Sequence, residues 1–173
     1  MKKNLYYYQG ENPTVDLIVV NPNGEVLIIR RSSQSVACPS MYAFPGGFID
    51  SKALAGELWE SGLETPKEAA IRELAEETNL ILKKDIDLIS VGEYVGNNRD
   101  PRDNEYSWSK THAFLFLIDL EIFESQKKRI KGMDDADLAL WINISELQKT
   151  KLAFDHNQIL IDAIALIRER TVR

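Results

Sequence analysis

The segment Glu64-Thr-Pro-Lys-Glu-Ala-Ala-Ile-Arg-Glu-Leu-Ala-Glu-Glu-Thr78 decides the fold, because it reads as a helix whose start is marked twice. Thr65 and Glu68 have the Thr-x-x-Glu spacing of a capping box. Pro66 falls at the first helical position, where its missing N–H costs nothing. The helix is therefore predicted to begin at Pro66. At about 100° per residue, Glu73, Glu76 and Glu77 share an arc of roughly 100°, while Ile71, Leu74, Ala75 and Thr78 point away from it towards a core. Like charges at these spacings repel by about a few tenths of a kcal/mol per pair. Either this is a solvated acidic face, or its oxygens hold a hard divalent cation, which removes the repulsion and uses the charge. Ala69 and Ala70 flank the face with methyl groups only, leaving room for a bulky substrate group.

Outward from the helix, residues 15–20 and 26–30 are apolar runs around Asn21-Pro-Asn-Gly24, a pattern that predicts a β-hairpin. Residues 41–44 form a further strand entering the Phe44-Pro-Gly-Gly47 turn. Residues 88–95 and 111–120 read as paired strands around a polar loop, 96–110, and residues 138–142 give another strand. Residues 159–167 are apolar on a helical period and end in Arg168-Glu-Arg170, cations suited to a helix C-terminus. Strands with two or three helices, no repeat and no low-complexity linker predict one α+β layered domain over 1–173.

At 173 residues the chain is long enough for one real core, and 44% hydrophobic with 28% charged residues is ordinary for a globular protein. A net charge of −6 without a basic stripe predicts no nucleic-acid surface. Cys38 is the single cysteine, so no intrachain disulfide forms. The N-terminus lacks the apolar run of a signal peptide and no window is apolar enough to span a bilayer, so a cytoplasmic location is expected. Tyr6-Tyr-Tyr8 is either an edge strand or a contact across a homodimer.

The helix with its preceding Gly-Gly turn resembles the Nudix box, a glycine followed at fixed spacing by Glu and then Arg-Glu-aliphatic-x-Glu-Glu-x-Gly-aliphatic. Glu64, Arg72, Glu73, Leu74, Glu76, Glu77 and Leu80 match in register, with Gly47 as the opening glycine. Asn79 replaces the second glycine; Asn is the next best residue for a left-handed helix terminus. Sixteen residues, 48–63, separate Gly47 from Glu64 where the family pattern has five. Within this insertion Ser51-Lys-Ala-Leu-Ala-Gly-Glu-Leu-Trp-Glu60 is read as a short helical flap with Leu54, Leu58 and Trp59 on one side, serving as a surface excursion, a lid or a dimer contact. The resemblance implies an α/β/α layered fold with a mixed sheet between helices.

A second stretch, Arg99-Asp-Pro-Arg102 followed by Asn104, Tyr106, Trp108, Thr111 and Ala113, is similar to a segment of ADP-ribose pyrophosphatases. Asp134-Asp-Ala136, Trp141 and Phe154-Asp-His-Asn-Gln158 extend that similarity. Two loop arginines suit phosphate oxygens and an aromatic beside them suits adenine, although the arginines also have Asp100, Asp103 and Glu105 as local partners. Asp134 and Asp135 are either a turn after Gly132 or a further ligand or base.

The resemblance implies a Mg²⁺-dependent hydrolase, with Mn²⁺ able to substitute, that cleaves the diphosphate of ADP-ribose or a related nucleoside diphosphate derivative to AMP and ribose 5-phosphate. Glu73, Glu76, Glu77 and the Gly46 carbonyl are the expected metal ligands; Arg72 orients the glutamates, and Glu64 holds a metal-bound water or is itself a ligand. Arg99, Arg102, Trp108 and His156 are the expected substrate contacts. The alternatives are hydrolysis of another nucleotide (NADH, a dinucleoside polyphosphate, an oxidised nucleoside triphosphate) or ADP-ribose sensing without turnover.

Overall fold

The computed structural model describes residues 5–96 and 98–172. Its centre is the pairing of β1 (Gly10–Val20) with β6 (Ser107–Leu117), parallel from Gly10 opposite Ser107 to Val20 opposite Leu117. A parallel pair of this kind is buried on both faces, which is why residues 15–20 are apolar without a break apart from Asp16. Outward from β1 lie β2 (Glu25–Arg31) and β3 (Tyr42–Ala43), and β5 (Ile89–Val95) flanks β6. β4 (Gly46–Phe48) pairs antiparallel with the middle of β1, and β7 (Ala136–Asn143) pairs antiparallel with β2.

Alternation along the strands divides the core in two. Leu17, Val19 and Leu27 face α1 (Pro66–Thr78) and α2 (Leu120–Gln126), packing with Ile71, Leu74 and Phe123. Ile18, Val26 and Ile28 face α4 (His156–Thr171), packing with Ile159, Leu160 and Ala163. The short α3 (Ile144–Leu147) closes the end of β7. The result is the expected α+β arrangement, a mixed sheet between helices.

α1 begins at Pro66 with both halves of the capping box formed, and it ends at Asn79 in the left-handed region, φ 60°. Several expectations need correction. The predicted hairpin closes only at its turn, because β1 and β2 share one register pair, Val20 with Val26, before β4 takes over the edge of β1. β6 starts at Ser107, not at 111, because its pairing with β1 continues that far. α4 starts at His156, three residues early. Ala69 and Ala70 are fully buried in the core and leave no room beside the acidic face for a substrate group.

The insertion is not helical. Gly56 and Gly62 have φ of 83° and 101°, outside any right-handed helix, and Ser51 Oγ gathers the chain by bonding to Glu60 and Ala53. Trp59 turns inward against the core, donating its indole N–H to the Ile49 carbonyl at 3.0 Å, while Leu54 and Leu58 stay exposed. The N-terminal segment braces it: the Gly56 N–H donates to Tyr7 and the Gln9 N–H to Glu57. Tyr6-Tyr-Tyr8 is a bend, with Tyr6 buried and Tyr7 exposed.

Candidate active site

A cleft of about 310 Å³ opens where the Phe44-Pro-Gly-Gly47 turn meets α1. The three helix glutamates are not equivalent there. Glu77 is buried, Glu73 is 13% exposed at the side chain, and Glu76 is 46% exposed on the outer side. Glu77 therefore does not point away from the core, as its place on the helical wheel implied; it forms part of the cleft floor, accepting the Gly46 N–H at 2.9 Å. Gly46 is sterically required by the backbone, and a side chain on Gly47 would displace the Glu73 carboxylate. A Cβ on Gly47 would stand 2.5 Å from a Glu73 oxygen, and one on Gly46 would stand 2.0 Å from the Val15 carbonyl.

Arg72 organises the carboxylates. Its Nε and Nη2 donate to the two oxygens of Glu64 at 2.7 and 3.0 Å, its Nη1 to Glu73 at 2.8 Å and Glu76 at 3.0 Å, and Nη2 also to the Phe48 carbonyl. Only a planar guanidinium spans that set of acceptors. The arginine's hydrogen bonds, with an added N–H from Asp50, hold Glu64 below the usual carboxylate range against the opposing effect of partial burial.

Glu73 and Glu77 shift the other way. Burial pushes Glu73 up to about 7 even with Arg72 pulling it down, and the neighbouring Glu76 and Asp135 add to the rise. Burial raises Glu77 well above the carboxylate range; the Gly46 N–H opposes this, and Asp135 reinforces it. Asp135 is brought there because the chain after α2 docks on the end of α1: the N–H groups of Lys131 and Met133 satisfy the free carbonyls of Thr78 and Glu77. Glu73, Glu77 and Asp135 thus line one cleft as hard oxygen donors whose mutual repulsion a divalent cation would relieve, and this donor set fits such an ion. Among the described residues no three His, Cys, Asp or Glu side chains yet enclose a single point, Glu73 and Glu76 being engaged by Arg72.

The opposite wall is basic, and its arginines are already anchored. Arg99 is buried, gripping Asp155 with Nε and Nη2 at 2.9 and 2.8 Å, and donating from Nη1 to Ser109 at 2.7 Å. Arg102 makes the same two-pronged contact with buried Asp100, at 3.0 and 2.7 Å. Neither is a freely solvated loop charge. His156, the first residue of α4, accepts the Phe44 N–H at Nδ1, and its Nε2 stands 3.1 Å from Asp16, close but not aligned for a hydrogen bond. Burial opposes a charge on Asp16, but His156, Arg99 and the Thr111 hydroxyl outweigh it and hold Asp16 low.

Trp108 does not join the arginines in the cleft wall. It lies within β6, where Ser107, Ser109 and Thr111 take the buried face and put Trp108 on the other, and it does not line the cleft. Arg31, Phe48, Asp16 and Phe154 do line it. Of these, Asp16 was the most detectable in the sequence, being an acid inside an unbroken apolar run.

The NUDIX domain model matches residues 10–163. The chain belongs to the NUDIX family. It is 35% identical over 149 residues to an ADP-ribose pyrophosphatase of Methanocaldococcus jannaschii, covering 86% of this chain and 70% of that protein. It is 27% identical to NtrR, an ADPR responsive transcriptional repressor of Acinetobacter baylyi, covering 95% of this chain but only 57% of the repressor's length. Among solved structures, a mutT/nudix family protein from Listeria innocua superposes with a TM-score of 0.67 at 30% identity, over 93% of this chain and 96% of that one. No helix among the described residues is long and apolar enough to cross a membrane.

Proposed function

We infer that the protein is a Mg²⁺-dependent hydrolase of ADP-ribose or a close nucleoside diphosphate derivative, yielding AMP and ribose 5-phosphate. The observation that carries this reading is the division of one cleft into an acidic floor, Glu73, Glu77 and Asp135, and a basic wall, Arg31, Arg99 and Arg102. A diphosphate diester held between them has its charge balanced on one side by arginine. The cation held on the other side would neutralise the phosphates and lower the pKa of a bound water. The similarity to an ADP-ribose pyrophosphatase supports ADP-ribose as the substrate within the family.

Water adds to one phosphorus, the bridging P–O bond breaks, and the second phosphate leaves with the bridging oxygen. Glu73 and Glu77, with Asp135, would hold the cation. Arg72 fixes the rotamers of Glu64, Glu73 and Glu76. Arg99 and Arg102, held by Asp155 and Asp100, supply positive charge on the wall facing the phosphates.

The test is incubation with Mg²⁺ and a panel of nucleotides in ¹⁸O-water. ADP-ribose should be cleaved ahead of any nucleoside triphosphate, with label in AMP or ribose 5-phosphate. Release of pyrophosphate from a preferred triphosphate overturns the assignment. A second reading, ADP-ribose binding without turnover, is favoured by the similarity to the repressor; retention of intact ADP-ribose at saturating Mg²⁺ would establish it.

A further inference from the structure

We propose that Phe48, with Arg102 behind it, is the stacking platform for the base of the nucleotide. The proposal rests on the reading of the cleft as a nucleoside diphosphate site and adds to it a base subsite and a substrate direction. Phe48 follows the Gly-Gly turn directly, so its ring stands beside the carboxylate floor. It is 37% exposed in a cleft otherwise walled largely by charged groups. An open aromatic face in such a place is costly to leave in water and is complementary to a flat heterocycle.

What surrounds the ring makes it rigid. The Arg102 guanidinium lies 5.4 Å from the Phe48 centroid and 5.1 Å from that of Tyr6. The two rings meet edge to face, 6.2 Å apart at 84°. Arg102 is itself pinned by both Asp100 oxygens, and the Tyr6 hydroxyl donates to Asp103 at 2.5 Å. Phe48 is therefore held from behind by a corner of fixed groups, and little side-chain entropy is lost when a base stacks on its open surface. Of the other phenylalanines of the cleft, Phe44 is buried and stacked on His156, and Phe154 is less available, with Arg31 over its ring at 5.1 Å and His156 beside it at 5.4 Å. The base thus lies at the Phe48–Arg102 end and the rest of the substrate extends towards Arg31 and His156.

The experiment is calorimetric titration of the full chain with AMP and, separately, with ribose 5-phosphate. Base–aromatic stacking predicts that Phe48→Ala weakens AMP binding about 10- to 100-fold and leaves ribose 5-phosphate unchanged. Phe48→Leu, which keeps apolar bulk without a π face, should lose nearly as much, and Phe48→Trp should keep or improve the affinity. In turnover the loss should appear in KM with kcat within about threefold. Equal weakening of both ligands by Phe48→Ala, full AMP affinity in Phe48→Leu, or no AMP binding by the unaltered protein overturns the platform. AMP binding requires no hydrolysis, so a protein that binds AMP through Phe48 yet leaves ADP-ribose intact refutes the hydrolase reading alone.

Discussion

The Gly46 N–H donates to Oε2 of Glu77 across 2.9 Å, and this one bond fastens the Gly-Gly turn to the acidic helix. Its acceptor is a buried carboxylate facing Asp135, so the site holds a charge that the fold itself disfavours. Glu77→Gln should keep the Gly46 bond through its amide oxygen while removing that charge. Hydrolysis is expected to fall at least about a hundredfold, the scale for losing a group that stabilises a charged transition state. The metal-free melting temperature should hold or rise, because the amide cannot carry the charge that burial disfavours there. Near-normal turnover at saturating Mg²⁺ would remove Glu77 from the site.

The rise of Glu73 to about 7 sets a pH dependence whose sign follows from linkage. Glutamate in the unfolded chain titrates near its ordinary value, about 4.3. Between that pH and about 7 the folded protein holds the proton that the unfolded chain has lost, so stability falls as pH rises through this window and is flat above it. Subtracting the melting curves of Glu73→Gln from those of the parent in EDTA isolates the effect; a difference that grows in the parent's favour with pH contradicts it. Cation binding displaces the same proton, so Mg²⁺ affinity should climb by up to about tenfold per pH unit below 7.

Features carried by neighbours along the chain were legible before the structure was known. The start of α1, its capping box and the left-handed Asn79 are all properties of a few consecutive residues. So was the acidic face, though not that burial separates Glu77 from Glu76, since which side of a helix is covered depends on what packs there. The parallel β1–β6 pairing joins segments about a hundred residues apart and leaves no local mark beyond a continuous apolar run. Arg99 read as a loop charge because its partner, Asp155, lies 56 residues away. The insertion read as helical from the spacing of Leu54, Leu58 and Trp59, but Gly56 and Gly62 break that period with positive φ.

Arg99 and Asp155 couple the loop before β6 to the start of α4, and the pair is mostly withdrawn from water. Removing one partner of such a pair costs about 3–5 kcal/mol, chiefly by stranding the other. Asp155→Ala, which strands the more buried member, should therefore destabilise more than Arg99→Met, and the double variant should recover part of the loss. Urea unfolding of the four proteins measures this as a double-mutant cycle. Additive losses would show that the two charges are independent and that the cleft wall is held by other contacts.

The insertion is expected to support the cleft without building its chemistry. Phe48 and Asp50, at its entrance, line the cleft, while Trp59 is bonded back to Ile49 and the Tyr7 and Gln9 backbone braces the far side. Lengthening a loop costs little entropy by itself, so the extra residues are retained at small expense; their contribution is the packing of Trp59. Replacing residues 51–62 with a short flexible linker, while keeping Phe48, Ile49 and Asp50, should lower stability by about 2–3 kcal/mol, somewhat under the loss for a fully buried tryptophan. Metal-dependent hydrolysis should persist with a raised KM, because Phe48 loses the order of the chain that follows it. Exposed Leu54 and Leu58 depart with the segment, so light scattering on both proteins also shows whether they mediate self-association. A shortened protein with unchanged melting temperature, kinetics and mass would show that the segment contributes nothing to the cleft.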